Sequence, residues 1–162
     1  MDRQDAAGTD RVRIRALRTA YRFAWAARAG LRLLPFPPLD GAMAAVWCDG
    51  HILLVRNSYN RYHTLPGGRR QAGETYVRAA ARELAEETGV TVAEERLRMA
   101  GREVLRYGFR RDVVEVHEIE LEARPALVID PVEIAEALWA SPEEAARMAL
   151  FGPARRYLES RR

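Results

Sequence analysis

Gly68-Arg69-Arg70-Gln71-Ala72-Gly73-Glu74-Thr75-Tyr76-Val77-Arg78-Ala79-Ala80-Ala81-Arg82-Glu83-Leu84-Ala85-Glu86-Glu87-Thr88-Gly89-Val90 decides the fold. Gly67, Gly68 and Gly73 punctuate a loop, and Thr75 stands where a helix cap belongs. The pattern predicts a helix running to about Thr88, stopped by Gly89 in a left-handed conformation. Val77, Ala80, Ala81 and Leu84 recur at helical spacing and form a core-facing stripe. Glu83 lies four residues from Glu87 and three from Glu86, so the three carboxylates share a face, roughly 5–6 Å apart at Cβ. Like charges so close repel each other, and a hard divalent cation such as Mg²⁺ turns the repulsion into ligation. Arg82, four before Glu86, is placed to pair with it. Glu74 precedes the helix, where the helix dipole favours a negative charge.

A solvated acidic helix face accounts for a bare Arg-Glu-x-x-Glu-Glu, because such runs are common on exposed helices. The glycine loop with Glu74 in register adds what that reading lacks. The full pattern is Gly, five residues, Glu, seven residues, Arg-Glu, an aliphatic, any residue, Glu-Glu, any residue, Gly, an aliphatic. It is met at Gly68, Glu74, Arg82, Glu83, Leu84, Glu86, Glu87, Gly89 and Val90. It resembles the Nudix box, the signature of the Nudix hydrolases.

The resemblance implies a metal-dependent phosphoanhydride hydrolase on an α/β fold, the Nudix α/β/α sandwich with a mixed sheet. The expected reaction splits a diphosphate bond in a nucleoside diphosphate linked to another moiety. By resemblance Glu83, Glu86 and Glu87 hold Mg²⁺ (or Mn²⁺), with the Gly68 carbonyl as a further ligand. Arg82 orients the carboxylates and Glu74 braces the junction of loop and helix. The general base is Glu83 within the box, or one of Glu118, Glu120, Glu133 and Glu136 outside it. Glu136, just before Ala137-Leu138-Trp139, resembles a glutamate that often precedes a late-strand Trp in this family. Each outside candidate has a plain counter-reading as a surface carboxylate.

Substrate identity is less legible. Arg56, Arg61, Tyr62 and His63 lie just before the glycine loop, where they can meet phosphate or base. Tyr107 falls near a downstream tyrosine of the dinucleoside polyphosphate subfamily, although a strand aromatic packed on the core explains it too. Glu103–Arg106 lacks the Pro frequent in ADP-ribose hydrolases, and Leu53-Leu54-Val55-Arg56 does not reproduce the upstream motif of the coenzyme A subfamily. The alternative function is a catalytically weak nucleotide-binding or membrane-associated regulatory module with the same fold. Loss of box carboxylates would mark that case, and none is lost.

At 162 residues the chain has room for one domain with a full core. It divides into residues 1–38, with a tail, an amphipathic helix and a Pro-rich linker, and residues 39–162, the hydrolase-like domain. All 26 basic residues are Arg, and with abundant Ala this suggests a GC-rich bacterial source. The net charge of +3 suits a polyanionic substrate without demanding nucleic acid. A lone cysteine, Cys48, excludes an internal disulfide framework and fits a reducing compartment. No apolar run reaches membrane-spanning length and the N-terminus begins acidic, so a cytoplasmic location is expected.

Ahead of the box, Ala42–Cys48 and Ile52–Arg56 are apolar runs joined by Asp49-Gly50-His51, a hairpin signal. Beyond it, Arg98–Tyr107 and Asp112–Leu121 read as strands around a turn at Gly108 to Arg111. Glu133–Ala140 fits strand or helix by pattern, and the resemblance favours strand. Ser141-Pro142-Glu143-Glu144 is a helix start, Gly152 interrupts that helix, and Pro153 opens a last short one. Near the N-terminus a helix is expected over 11–29, with Ile14, Leu17, Tyr21, Ala24 and Trp25 on one face and Arg11, Arg15, Arg18 and Arg22 beside it. Packing on the domain, or on a second subunit as a homodimer, would cover the apolar face. A membrane surface is the competing, less favoured partner.

Overall fold

Asp49 and Gly50 take φ values of 50° and 68°. Two consecutive positive values are what a tight hairpin turn requires. The turn joins β1 (Asp40–Cys48) to β2 (His51–Asn57). The computed structural model describes residues 40–107 and 110–161, together with Ile14, Leu17 and Thr19. The rest of the expected N-terminal helix lies outside the described residues; the three described positions are helical.

β1 and β2 pair next to the turn, at Trp47↔Ile52 and Cys48↔His51, and then diverge. β2 goes on to pair with β3 (His63–Thr64), and β1 with β4 (Gly67–Arg69). Segment 63–69 therefore crosses from one half of the sheet to the other. Fully buried Leu65 sits in the crossing, and Ala44 N–H donates to the Pro66 carbonyl at 2.8 Å. On its other side β1 runs parallel to β6 (Arg110–Leu121), which pairs antiparallel with β5 (Arg98–Tyr107). The free side of β2 takes β7 (Ile134–Ala140) antiparallel. The sheet is thus mixed, with two wings that part at β1 and β2.

Side chains alternate faces along each strand. Ala42, Ala44, Val46 and Leu53 face α1 (Tyr76–Thr88), whose Ala79, Ala80 and Leu84 close that core. Met43, Ala45, Trp47, Ile52 and Leu54 face the other way, against Ala145, Ala154 and Tyr157. Those last three belong to α2 (Pro142–Arg147) and α3 (Gly152–Ser160). Burying a side chain such as Leu84 contributes roughly 1.5–3 kcal/mol. Helices therefore cover both faces of the sheet, as expected.

The capping chemistry is local and as the sequence predicts. Thr75 Oγ1 accepts the Arg78 N–H at 3.2 Å, and Gly89, at φ 73°, ends α1. Ser141 and Glu144 form a reciprocal capping box, with Pro142 in the first turn. Ile134–Ala140 is a strand because β2 supplies its partner edge. The boundary expected at Gly108 to Arg111 shifts: β6 already begins at Arg110, and residues 108 and 109 lie outside the described set. Cys48 is buried. Among the described residues no helix is long and apolar enough to cross a membrane.

Candidate active site

The glycine loop reaches α1 from β4, pressed against β1. A Cβ on Gly67 would come within 2.7 Å of Met43 Cα. A Cβ on Gly68 would lie 2.5 Å from the carboxyl carbon and both oxygens of Glu83. Only a residue without a side chain lets the Gly68 backbone and that carboxylate share this space.

Arg82 is the hub of the acidic face. Its Nε and Nη2 donate to the two oxygens of Glu74, at 3.0 and 3.2 Å. Nη1 donates to Glu83 Oε1 at 2.8 Å and to Glu86 Oε2 at 3.0 Å. Nη2 also reaches the Arg69 carbonyl at 3.0 Å, tying the helix to the loop. One guanidinium thus holds Glu74, Glu83 and Glu86 at once, using the fixed fork of donors that Arg offers. Glu74 also accepts the Gln71 N–H at 2.9 Å. The Arg82 bond, more than any other influence, keeps the Glu74 carboxyl below the usual range.

Glu87 stands apart from that hub. It is 3% exposed, turned under the loop, where its Oε2 accepts the Gly67 N–H at 2.9 Å. Asn57 Nδ2 is 3.4 Å from its Oε1. Burial pushes its pKa up to about 8; the Gly67 N–H opposes this, and the charges of Glu83 and Glu133 add to it. The structure therefore brings Glu83 and Glu86 together on Arg82 and sets Glu87 inward, instead of presenting three equivalent carboxylates on one exposed face.

Glu133 joins this field from the turn before β7. Burial raises its pKa, and the charges of Asp130 and Glu86 raise it further. Glu83 is likewise raised, first by burial, with Glu86 and Glu133 among the charges that add. The Glu133 carbonyl accepts the Ser58 N–H at 2.7 Å, which fixes the turn against the end of β2. Asn57 was not singled out by the sequence, and Glu133 stood there only as one of four candidate bases outside the box. A polar residue ending a strand, and one glutamate among several in a loop, give no local signal of what they face.

Glu136 is placed differently. Its Oε2 accepts from Arg56 Nε at 3.1 Å and lies 3.1 Å from His63 Nε2. Those two bonds, His63 first and then Arg56, lower its pKa. Held in this way, its carboxyl is less ready to take a proton than those of Glu83 and Glu133, which are shifted the other way. Glu118 is bound by the Tyr157 hydroxyl at 2.8 Å and by Arg161 at 3.1 Å. Glu120 lines the same cleft of about 440 Å³ beside Trp47, at the turn end of β1 and away from the glycine loop. Arg61 lies exposed with its guanidinium stacked on the Tyr62 ring, 5.2 Å from the centroid. Tyr107 ends β5 opposite Arg110.

Among the described residues no three His, Cys, Asp or Glu side chains are already drawn round a single point. Arg82 lies between Glu83 and Glu86 and neutralises both. The donor set nonetheless fits a hard divalent cation: carboxylate and carbonyl oxygens only, a side-chain-free Gly68 against Glu83, and a buried Glu87 crowded by like charges.

A family model described as NUDIX domain matches residues 38–160. The search of curated proteins finds no match. Among solved structures, a MutT NUDIX hydrolase from Burkholderia pseudomallei aligns with a TM-score of 0.66 at 24% identity, covering 76% of this chain and 98% of that one. The NUDIX domain of Shewanella oneidensis NrtR, complexed with ADP ribose, aligns at 0.66 and 19% identity, covering 78% and 87%. An Ap4A hydrolase from C. elegans aligns at 0.63 and 21%, covering 75% and 93%. At these identities the likeness is one of fold.

Proposed function

The chain belongs to the NUDIX family, and from that premise we propose that it hydrolyses a diphosphate bond in a nucleoside diphosphate linked to another group, using Mg²⁺ or Mn²⁺. The observation that carries this reading is the Arg82 hub, which fixes Glu74, Glu83 and Glu86 beside Gly67 and Gly68, where a Cβ would meet Met43 and the Glu83 carboxylate. Two of the fold relatives, the worm hydrolase and the NrtR domain, are described with Ap4A and ADP ribose. Both molecules join a nucleoside to another group through phosphates, which supports the substrate class.

Glu83, Glu86, Glu87 and the Gly68 carbonyl would hold the cation. When bound, it supplies a water of lowered pKa and screens the phosphate oxygens. The protein's own share is positioning, which dominates phosphoryl chemistry. Arg82 keeps Glu83 and Glu86 aimed, and Glu74 keeps Arg82 in place. Glu133 is the carboxylate best suited to take the proton of the attacking water. It is half-buried with a raised pKa, and unlike Glu83 it is not bound to Arg82. Glu136, lowered by its bonds to His63 and Arg56, is left out of that step.

The test is release of phosphorylated product from a panel of nucleotide sugars, dinucleoside polyphosphates, ADP-ribose, coenzyme A and nucleoside triphosphates, with and without Mg²⁺. Metal-dependent cleavage of at least one diphosphate-linked substrate is expected. Glu86→Gln should reduce it by a factor on the order of 10²–10³ with folding intact. Near-normal turnover in that variant would remove the proposed catalytic assignment.

A further inference from the structure

Arg56, Glu136 and His63 form a row across three neighbouring strands. Arg56 of β2 is in register with Glu136 of β7 on one side and with His63 of β3 on the other. Residues in register on adjacent strands point to the same face of a sheet. Arg56 and His63 both engage one oxygen of Glu136, its Oε2. Among the described residues Glu136 Oε1 has no partner, and neither do the two terminal nitrogens of Arg56. The Glu136 side chain is 44% exposed and that of Arg56 32%. The row thus presents a fixed acceptor beside fixed donors, open to solvent.

Stability gives little reason for this arrangement. An ion pair with this much exposure contributes little to stability. Two partners on one oxygen do something else: they lock the carboxylate's orientation while leaving half its hydrogen-bonding capacity free. A few fixed polar groups with free capacity are what gives a ligand site its specificity.

The location selects the ligand. Arg56 directly precedes Asn57, whose amide reaches Glu87. Glu136 lies within β7, three residues beyond Glu133, which stands in the turn before that strand. By alternation along β2, Arg56 shares the face of Leu54, opposite α1, so the row does not face the carboxylates proposed to hold the cation or the phosphates they would act on. What it meets is the group those phosphates carry. A nucleobase offers donors and acceptors side by side on its edge, in an order that differs from base to base.

We propose that the Arg56–Glu136–His63 row is the specificity site that reads the nucleobase edge, with Glu136 Oε1 accepting from the base and the Arg56 terminal nitrogens donating to it. This rests on the diphosphate-hydrolase reading above. Glu136 is then a specificity residue. Replacing it changes which base is preferred more than it changes the chemical step.

The experiment uses the full chain. kcat/KM with Mg²⁺ is measured for ADP-, GDP-, CDP- and UDP-linked sugars, and binding of ADP, GDP, CDP and UDP is titrated in EDTA. The wild type should separate the best base from the worst by about tenfold or more in both series. In Glu136→Gln, Arg56 and His63 keep the amide oxygen inward, so an NH₂ donor faces the base where an acceptor stood. The order of preference should therefore change, with the best wild-type base losing about tenfold or more. Equal values for the four bases in the wild type, or an unchanged order in the variant, overturns the proposal. If Glu136→Gln fails to fold by circular dichroism, Arg56→Gln is read by the same two criteria. Absence of cleavage of these sugars and of every other member of the substrate panel would sink the hydrolase reading alone, because the EDTA titration still judges base selectivity on its own.

Discussion

Replacing Glu87 by Gln should make the metal-free protein more stable at alkaline pH. Glu87 is 3% exposed, and burial lifts its pKa from 4.5 to about 8. Between those values the folded chain retains a proton that the unfolded chain has released. Stability therefore falls as pH rises through this window, with the loss absent below about pH 4.5 and complete above about pH 8. A gap of about 3.5 pH units, at about 1.36 kcal/mol each, sets a ceiling of about 5 kcal/mol. Glutamine keeps the shape, still offers an oxygen to the Gly67 N–H, and has no charge to bury. Urea unfolding in EDTA at about pH 5 and about pH 8.5 should show the wild type losing about 3–4 kcal/mol relative to the variant. Glu83 and Glu133, also raised by burial, slope the same way in both proteins, so the difference isolates Glu87. Adding Mg²⁺ should flatten the wild-type dependence, because ligation requires the deprotonated carboxylate and binding expels the proton. Parallel stability profiles for the two proteins would refute the buried-carboxylate reasoning.

Gly68→Ala places a methyl against the Glu83 carboxylate, the movable end of a side chain. Melting temperature should change little while Mg²⁺ affinity, read by calorimetry, falls about tenfold or more. Ser141→Ala removes the cap of α2 and should cost about 1 kcal/mol in chemical denaturation, with activity retained. Deleting Met1–Leu34 should lower the melting temperature or shift the mass in light scattering, with Mg²⁺ binding kept. If neither changes, the segment does not pack on this domain or on a second copy.

The features legible in the sequence were those that short-range chemistry determines. Thr75, Gly89 and the Ser141–Glu144 box act within a turn of their helices, so their residue types announce them. The Asp49-Gly50 hairpin is of the same kind. Glu136 was visible as a residue but not in its role, because its partner Arg56 is 80 positions away and joins it only through the pairing of β2 with β7. The inward turn of Glu87 had a signal that helical spacing contains. It stands three residues after Leu84 and seven after Ala80, on the border of the apolar stripe itself. What covers that border, the Gly67 N–H and the Asn57 amide, comes from other strands and has no local signature.

The crossing segment 63–69 spans the opening between the two wings of the sheet and grips a carboxylate at each end. His63 meets Glu136 on the β2 wing, and the Gly67 N–H holds Glu87 beneath the β1 wing. Five residues, His63 to Gly67, with buried Leu65 at their middle, therefore link two acidic groups of opposite character, one lowered and one raised in pKa. The stretch works as a ruler. Lengthening it by one residue would break its grip on one carboxylate or the other without altering a residue of α1 or β7.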